Sequence, residues 1–129
     1  MEAIAVVTTL LIAQAFVFAF MVGRARQKTG TKAPAMSGPP EFERAFRVHQ
    51  NTIEQLIIVL PGMWMFGYFI HPGIAAGLGL VFFITRFIYR SSYLADPSRR
   101  DRGFLPGAIV ELTLILGSLA GAVMSFLRT

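Results

Sequence analysis

Residues 3–23 read AIAVVTTLLIAQAFVFAFMVG, which is 21 residues without a charge. Gln14 is the only strongly polar side chain in the run. At 1.5 Å per residue a helix of this length covers roughly 30 Å, the thickness of one hydrocarbon core. A cleaved signal peptide is the rival reading. Glu2 stands where such a peptide would carry basic residues, and the apolar run is long, so a retained helix is expected.

The rest of the chain repeats this signal. Of the 129 residues, 54% are hydrophobic and 15% charged, too apolar a balance for a soluble domain of this size. Helices are expected at about 3–25, 42–70, 74–95 and 104–127. The expected fold class is therefore all-α, a four-helix integral membrane bundle forming a single domain over 1–129. Arg24 to Pro40 forms a basic, proline-rich break, and Glu41 and Glu43 suit the first turn of the helix that follows. Pro61-Gly62 predicts a kink in that second helix. His71-Pro72-Gly73 reads as a tight turn, and Pro106 suits the first turn of the fourth helix. Gly117 and Gly121 are spaced for close helix packing.

Charge sets the expected orientation. The first and third loops hold most of the Lys and Arg, and the second holds none. The positive-inside rule then places both basic loops in the cytoplasm and both termini outside. The absence of cysteine excludes disulfides, thiolate metal sites and a cysteine nucleophile. With only His49 and His71 present, no histidine metal site is expected. The net charge of +5 suits membrane-flanking loops better than a nucleic-acid partner.

Polar residues at membrane depth carry the functional signal. Arg44, Arg47, Asn51 and Glu54 are spaced 3, 4 and 3, which aligns them on one helical face. Arg86, Tyr89 or Arg90, and Tyr93 repeat this on the third helix. Glu54 lies roughly 15 Å in from Glu43 along the helix, where an unpaired charge is costly and by default functional. Snorkelling arginines and interfacial tyrosines are the plainer alternative. Arg86 and Glu111 lie at similar depths on antiparallel helices, and the depth match predicts a structural ion pair. Guanidiniums clamp carboxylates and a carboxylate suits an ammonium, so the stripe fits a zwitterion with more negative than positive charge. Glutathione has that form, although other peptides and amino acids share it.

The stretch GPPEFERAFRVHQNTIE, residues 38–54, together with GLGLVFFITRFIYRSSY ending at Tyr93, resembles the signature of the MAPEG family. These are the membrane-associated proteins of eicosanoid and glutathione metabolism. The likeness runs over roughly residues 1–127 and is nearest the branch holding leukotriene C synthase and microsomal glutathione transferase 2. It implies a homotrimer that binds glutathione as cosubstrate between subunits, without a metal. By matching position, Arg47, Asn51, Glu54, Tyr89 and Tyr93 contact glutathione. Arg26 reaches it from a neighbouring subunit, with His49 nearby. Arg100 matches the arginine that activates the thiol, and Arg99 and Arg102 are close enough for that assignment to slip. The implied activity is a membrane-bound glutathione transferase or peroxidase acting on hydrophobic electrophiles or lipid hydroperoxides. The alternative is a non-catalytic lipid-binding partner of the lipoxygenase-activating type. A four-helix drug transporter is disfavoured because the first helix holds no internal acid. Gln55 and Gln27 depart from the pattern, which has a tyrosine and an arginine there, and Glu111 has no counterpart. The short tail and compact loops suggest a bacterial inner-membrane member with its active site facing the cytoplasm.

Overall fold

The computed structural model describes residues 1–99 and 101–129, and at 101 the backbone only. The described helices are α1 (Glu2–Thr29), α2 (Pro40–Phe69), α3 (Pro72–Ala95) and α4 (Asp101–Arg128), with a 3-10 turn at Pro97–Arg99 before α4. All four α-helices are long and apolar enough to cross a membrane. Each follows its predecessor in the opposite direction, so the connections 30–39 and 96–99 lie at the same end of the bundle.

Local chemistry sets each boundary. α1 runs four residues past its expected end, because Arg26 and Lys28 suit the negative end of the helix dipole and need not break the helix. It stops at Gly30, whose φ of 72° is left-handed and returns its N–H to the Arg26 carbonyl. α2 begins at Pro40, whose φ and missing N–H fit a first helical position, with Glu41 and Glu43 in the first turn. It continues through Pro61 to Phe69. α4 starts earlier than expected, at Asp101, so Pro106 lies inside the helix and not in its first turn. The bond Pro106 forfeits is the one to the carbonyl of Arg102, the second residue of the helix, so the break is mild.

The turn between α2 and α3 has more structure than its sequence suggests. His71 is the N-cap of α3, and its Nδ1 accepts from the N–H groups of Gly73 at 3.0 Å and Ile74 at 3.2 Å. The ring proton therefore sits on Nε2. His71→Ala should cost about 1 kcal/mol in thermal or denaturant unfolding, and His71→Asn should recover most of it.

α1 buries Ile4, Val7, Leu11, Gln14, Phe18, Val22 and Ala25 at spacings of three or four. Ile4, Val7 and Leu11 of this stripe meet Val59, Met63, Ala75, Phe82 and Leu114 in the main core. Gln14 sits in this packing because its Nε2 donates to the Phe83 carbonyl at 2.8 Å. Trp64 is partly exposed and donates from Nε1 to Thr8 at 3.0 Å, linking α2 to α1. α4 closes against α2 through small residues, since a Cβ at Gly117 would overlap the Phe66 ring and one at Gly121 would crowd Phe69 and Ile70. Phe16, Ile57 and Phe126 are at least 70% exposed and face outward, as lipid-contacting side chains do.

Candidate active site

The polar stripe of α2 faces the two tyrosines of α3 across a cavity of about 560 Å³ at the basic end of the bundle. Arg44, Arg47, Asn51, Glu54, Tyr89 and Tyr93 line it, together with Glu43, Gln50 and Pro97. That volume suits a small peptide or a molecule of similar size. Arg47 and Glu54 make no hydrogen bond or ion pair among the described residues. They stand seven residues apart, roughly 10 Å along the helix axis, so the described lining offers a cation and an anion at separated points. The Tyr89 and Tyr93 rings stack at 5.7 Å with an interplanar angle of 15°, forming one wall. Arg44 is already engaged, donating to the Leu94 carbonyl at 3.2 Å and satisfying a free carbonyl at the end of α3.

Beneath this wall lies Arg86, 1% exposed. Its Nη2 donates to Asn51 Oδ1 at 2.8 Å and to Thr52 Oγ1 at 2.9 Å, and Nε reaches the same Thr52 oxygen at 3.3 Å. The guanidinium carbon lies 4.1 Å from the centre of the Tyr89 ring, a close cation–π contact. Because Arg86 only donates, the Asn51 atom facing it is the oxygen, and the Asn51 NH₂ is left toward the cavity.

The expected ion pair between Arg86 and Glu111 is not a direct contact. The two are within Coulombic range, but the hydrogen bonds of Arg86 go to α2 instead. Glu111 meets Gln55, whose amide nitrogen, turned toward the carboxylate, donates to both oxygens. Depth along the helix axes does not by itself pair the two groups, because the rotation of α4 directs the carboxylate to Gln55. Gln55 thus serves the bundle interior.

Arg26 does not line the cavity. It donates from Nη1 to the Ala35 carbonyl at 2.8 Å and lies 4.6 Å above the Phe42 ring. His49 is half-buried on α2 and also stands apart from the lining. Arg100 lies outside the described residues. The turn leading to it is held by Asp96, whose Oδ1 accepts from the Ser98 backbone N–H at 3.1 Å and hydroxyl at 2.8 Å. These two bonds hold the Asp96 carboxyl below the usual carboxylate range. Sequence reasoning missed Thr52, which is fully buried and is the shared acceptor for Arg86. Its signal was available as a polar residue beside Asn51 at membrane depth. Among the described residues, no three His, Asp or Glu side chains cluster for a metal.

Comparison with known proteins gives a consistent set of relatives. A model described as the MAPEG family matches residues 4–120. An uncharacterized protein of Synechocystis is 40% identical over 115 residues, covering 89% of this chain and 84% of that protein. Human microsomal glutathione S-transferase 2 is 39% identical over 125 residues, covering 96% of this chain and 84% of the human protein. Leukotriene C4 synthase of Rattus norvegicus is 32% identical over 124 residues, covering 96% and 83% of the two chains.

Proposed function

The chain belongs to the MAPEG family, and from that premise we propose that it is a membrane-bound glutathione transferase, with peroxidase activity toward lipid hydroperoxides. The observation that carries this is the cavity in which unpaired Arg47 and Glu54 stand with Asn51, Tyr89 and Tyr93. Arg47 and the Asn51 NH₂ bind glutathione carboxylate, and Glu54 takes its ammonium. Tyr89 and Tyr93 supply hydroxyls and a flat wall. In a homotrimer, Arg26 of a neighbouring subunit adds a further cation.

Arg100 follows the Asp96–Ser98 turn in sequence, and in this reading it is the residue that activates the thiol. A fixed positive charge there favours thiolate over thiol, and the proton leaves to water because arginine stays charged near neutral pH. The thiolate sulfur then attacks an electrophilic carbon dissolved in the bilayer. A C–S bond forms, and the displaced group departs with the bonding pair. With a hydroperoxide, the sulfur takes the distal oxygen and the O–O bond breaks to release an alcohol. A second glutathione converts the resulting sulfenate to the disulfide and water.

The test is glutathione titration of the reconstituted protein together with conjugation of a reactive aryl halide. Wild type should bind and turn over. Arg100→Ala should still bind but lose about a hundredfold in turnover, the scale of removing one charge-stabilising donor. Arg47→Ala should weaken binding at least about tenfold, because a charge-assisted bond is lost. Binding without turnover in wild type would convert the reading to a lipid-binding partner protein. Absence of glutathione binding would overturn it.

A further inference from the structure

A second cavity, of about 620 Å³, opens between the last turns of α1, the start of α2 and the last turns of α3. It shares no lining residue with the first. Arg24, Lys28 and Arg90 bring three cations to it, and among the described residues Glu41 is the only carboxylate in its lining. Glu41 is occupied by Lys28 Nζ at 2.8 Å. Arg24 and Arg90 have no hydrogen bond or ion pair among the described residues, although Arg90 is half-buried. A guanidinium partly withdrawn from water without an acceptor is unfavourable, and half-buried Arg90, with the exposed Arg24 lining the same cavity, calls for an anion.

We propose that this cavity holds the phosphate of an anionic phospholipid. The chemistry it recognises is a phosphate oxyanion, and its surroundings favour the lipid as the source. One turn deeper into the bundle, Phe87 fills the groove between α1 and α3, packing edge-on against Phe18 at 5.8 Å and Phe83 at 5.2 Å. Phe87 remains 42% exposed, and Val17 and Phe20 on α1 are 41% and 63% exposed. A headgroup held by Arg24 and Arg90 would therefore lay its acyl chains along an apolar, lipid-facing groove. The α1 face concerned is not that of Arg26. Arg24 and Lys28 are four residues apart and share a side, whereas Arg26 is two residues from each and turns toward Phe42. The inference goes beyond the glutathione reading and does not depend on it.

The test measures lipid retention by native mass spectrometry and the thermal midpoint in neutral detergent, with phosphatidylglycerol, phosphatidylcholine or inorganic phosphate added. Phosphatidylglycerol should be retained and should raise the midpoint, and the other two should do neither. Arg24→Gln and Arg90→Gln should each weaken phosphatidylglycerol retention about fivefold, the scale of one cation at a membrane surface. The exposed Lys28→Gln variant should act in the same direction if Arg90→Gln fails to fold. Arg128→Gln, at the opposite end of the bundle, should leave retention unchanged. Equal retention of the two lipids, unchanged retention in all three cavity variants, or a midpoint raised as much by inorganic phosphate would each overturn the proposal.

Discussion

Arg86→Met is expected to weaken glutathione binding by at least about tenfold, or 1.4 kcal/mol, although Arg86 does not line the cavity. Methionine fills similar volume without a charge or donors. Asn51 Oδ1 then loses its partner at 2.8 Å and Tyr89 loses the cation over its ring. Nothing else among the described contacts holds the Asn51 amide in one orientation, so its NH₂ no longer faces the ligand by default. Stability should also fall, by about 1 kcal/mol, because a partly buried amide oxygen loses its charged partner. Thr52 suffers less, since its hydroxyl still donates to the Val48 carbonyl at 2.7 Å.

A second substitution separates positioning from stability. Asn51→Asp keeps the oxygen that Arg86 grips and adds an opposite charge, so the thermal midpoint should hold or rise. It also replaces the cavity-facing NH₂ with a carboxylate oxygen, which repels a ligand carboxylate. Glutathione titration should then show affinity falling while stability does not. If both variants lost binding and stability in parallel, Arg86 would be a packing residue only. Arg86→Lys should fall between wild type and methionine, because an ammonium retains the charge but lacks the planar fork that spans Asn51 and Thr52.

Much of this geometry was readable from spacing, and its limits have a physical cause. Apolar length and loop charge follow directly from residue order, so the four helices and their basic end were legible. Residues spaced three and four apart share a face whatever the neighbouring helices do, which made the Arg47–Asn51–Glu54 stripe and the Tyr89–Tyr93 wall readable. Depth is likewise linear in residue number, and it paired Arg86 with Glu111. Rotation about the helix axis is not linear in sequence. It is set by which small residues let α4 approach α3, and it sends Glu111 to Gln55 while Arg86 reaches across to α2. The position of Arg26 was out of reach for another reason. A side chain expected to serve a neighbouring subunit has no destination that one chain's periodicity can specify.

Gly103→Ala should be the most damaging single-methyl change near the site. A Cβ there would overlap the Tyr89 backbone nitrogen and lie 2.6 Å from the Tyr89 Cα, with the Thr85 carbonyl oxygen also in the way. These are backbone atoms of α3 and cannot rotate aside as a flexible side chain can. The first turns of α4 must move outward, away from Tyr89, the stacked partner of Tyr93 in the cavity wall. Arg100, the proposed thiol-activating group, stands three residues earlier in the sequence. A shift of about 1 Å in a catalytic group can cost a hundredfold in rate. Turnover with the aryl halide should therefore fall by about that factor, and unfolding stability by about 1–3 kcal/mol from overpacking. Gly107→Ala is the control. A Cβ there meets Phe82 and Thr85 side-chain atoms at 3.5–3.6 Å, an ordinary contact distance. It should leave turnover within about twofold and unfolding stability within about 0.5 kcal/mol of wild type, the range of substitutions that disturb no special contact. If Gly103→Ala behaved like Gly107→Ala, close approach of α4 to α3 would not be what positions the site.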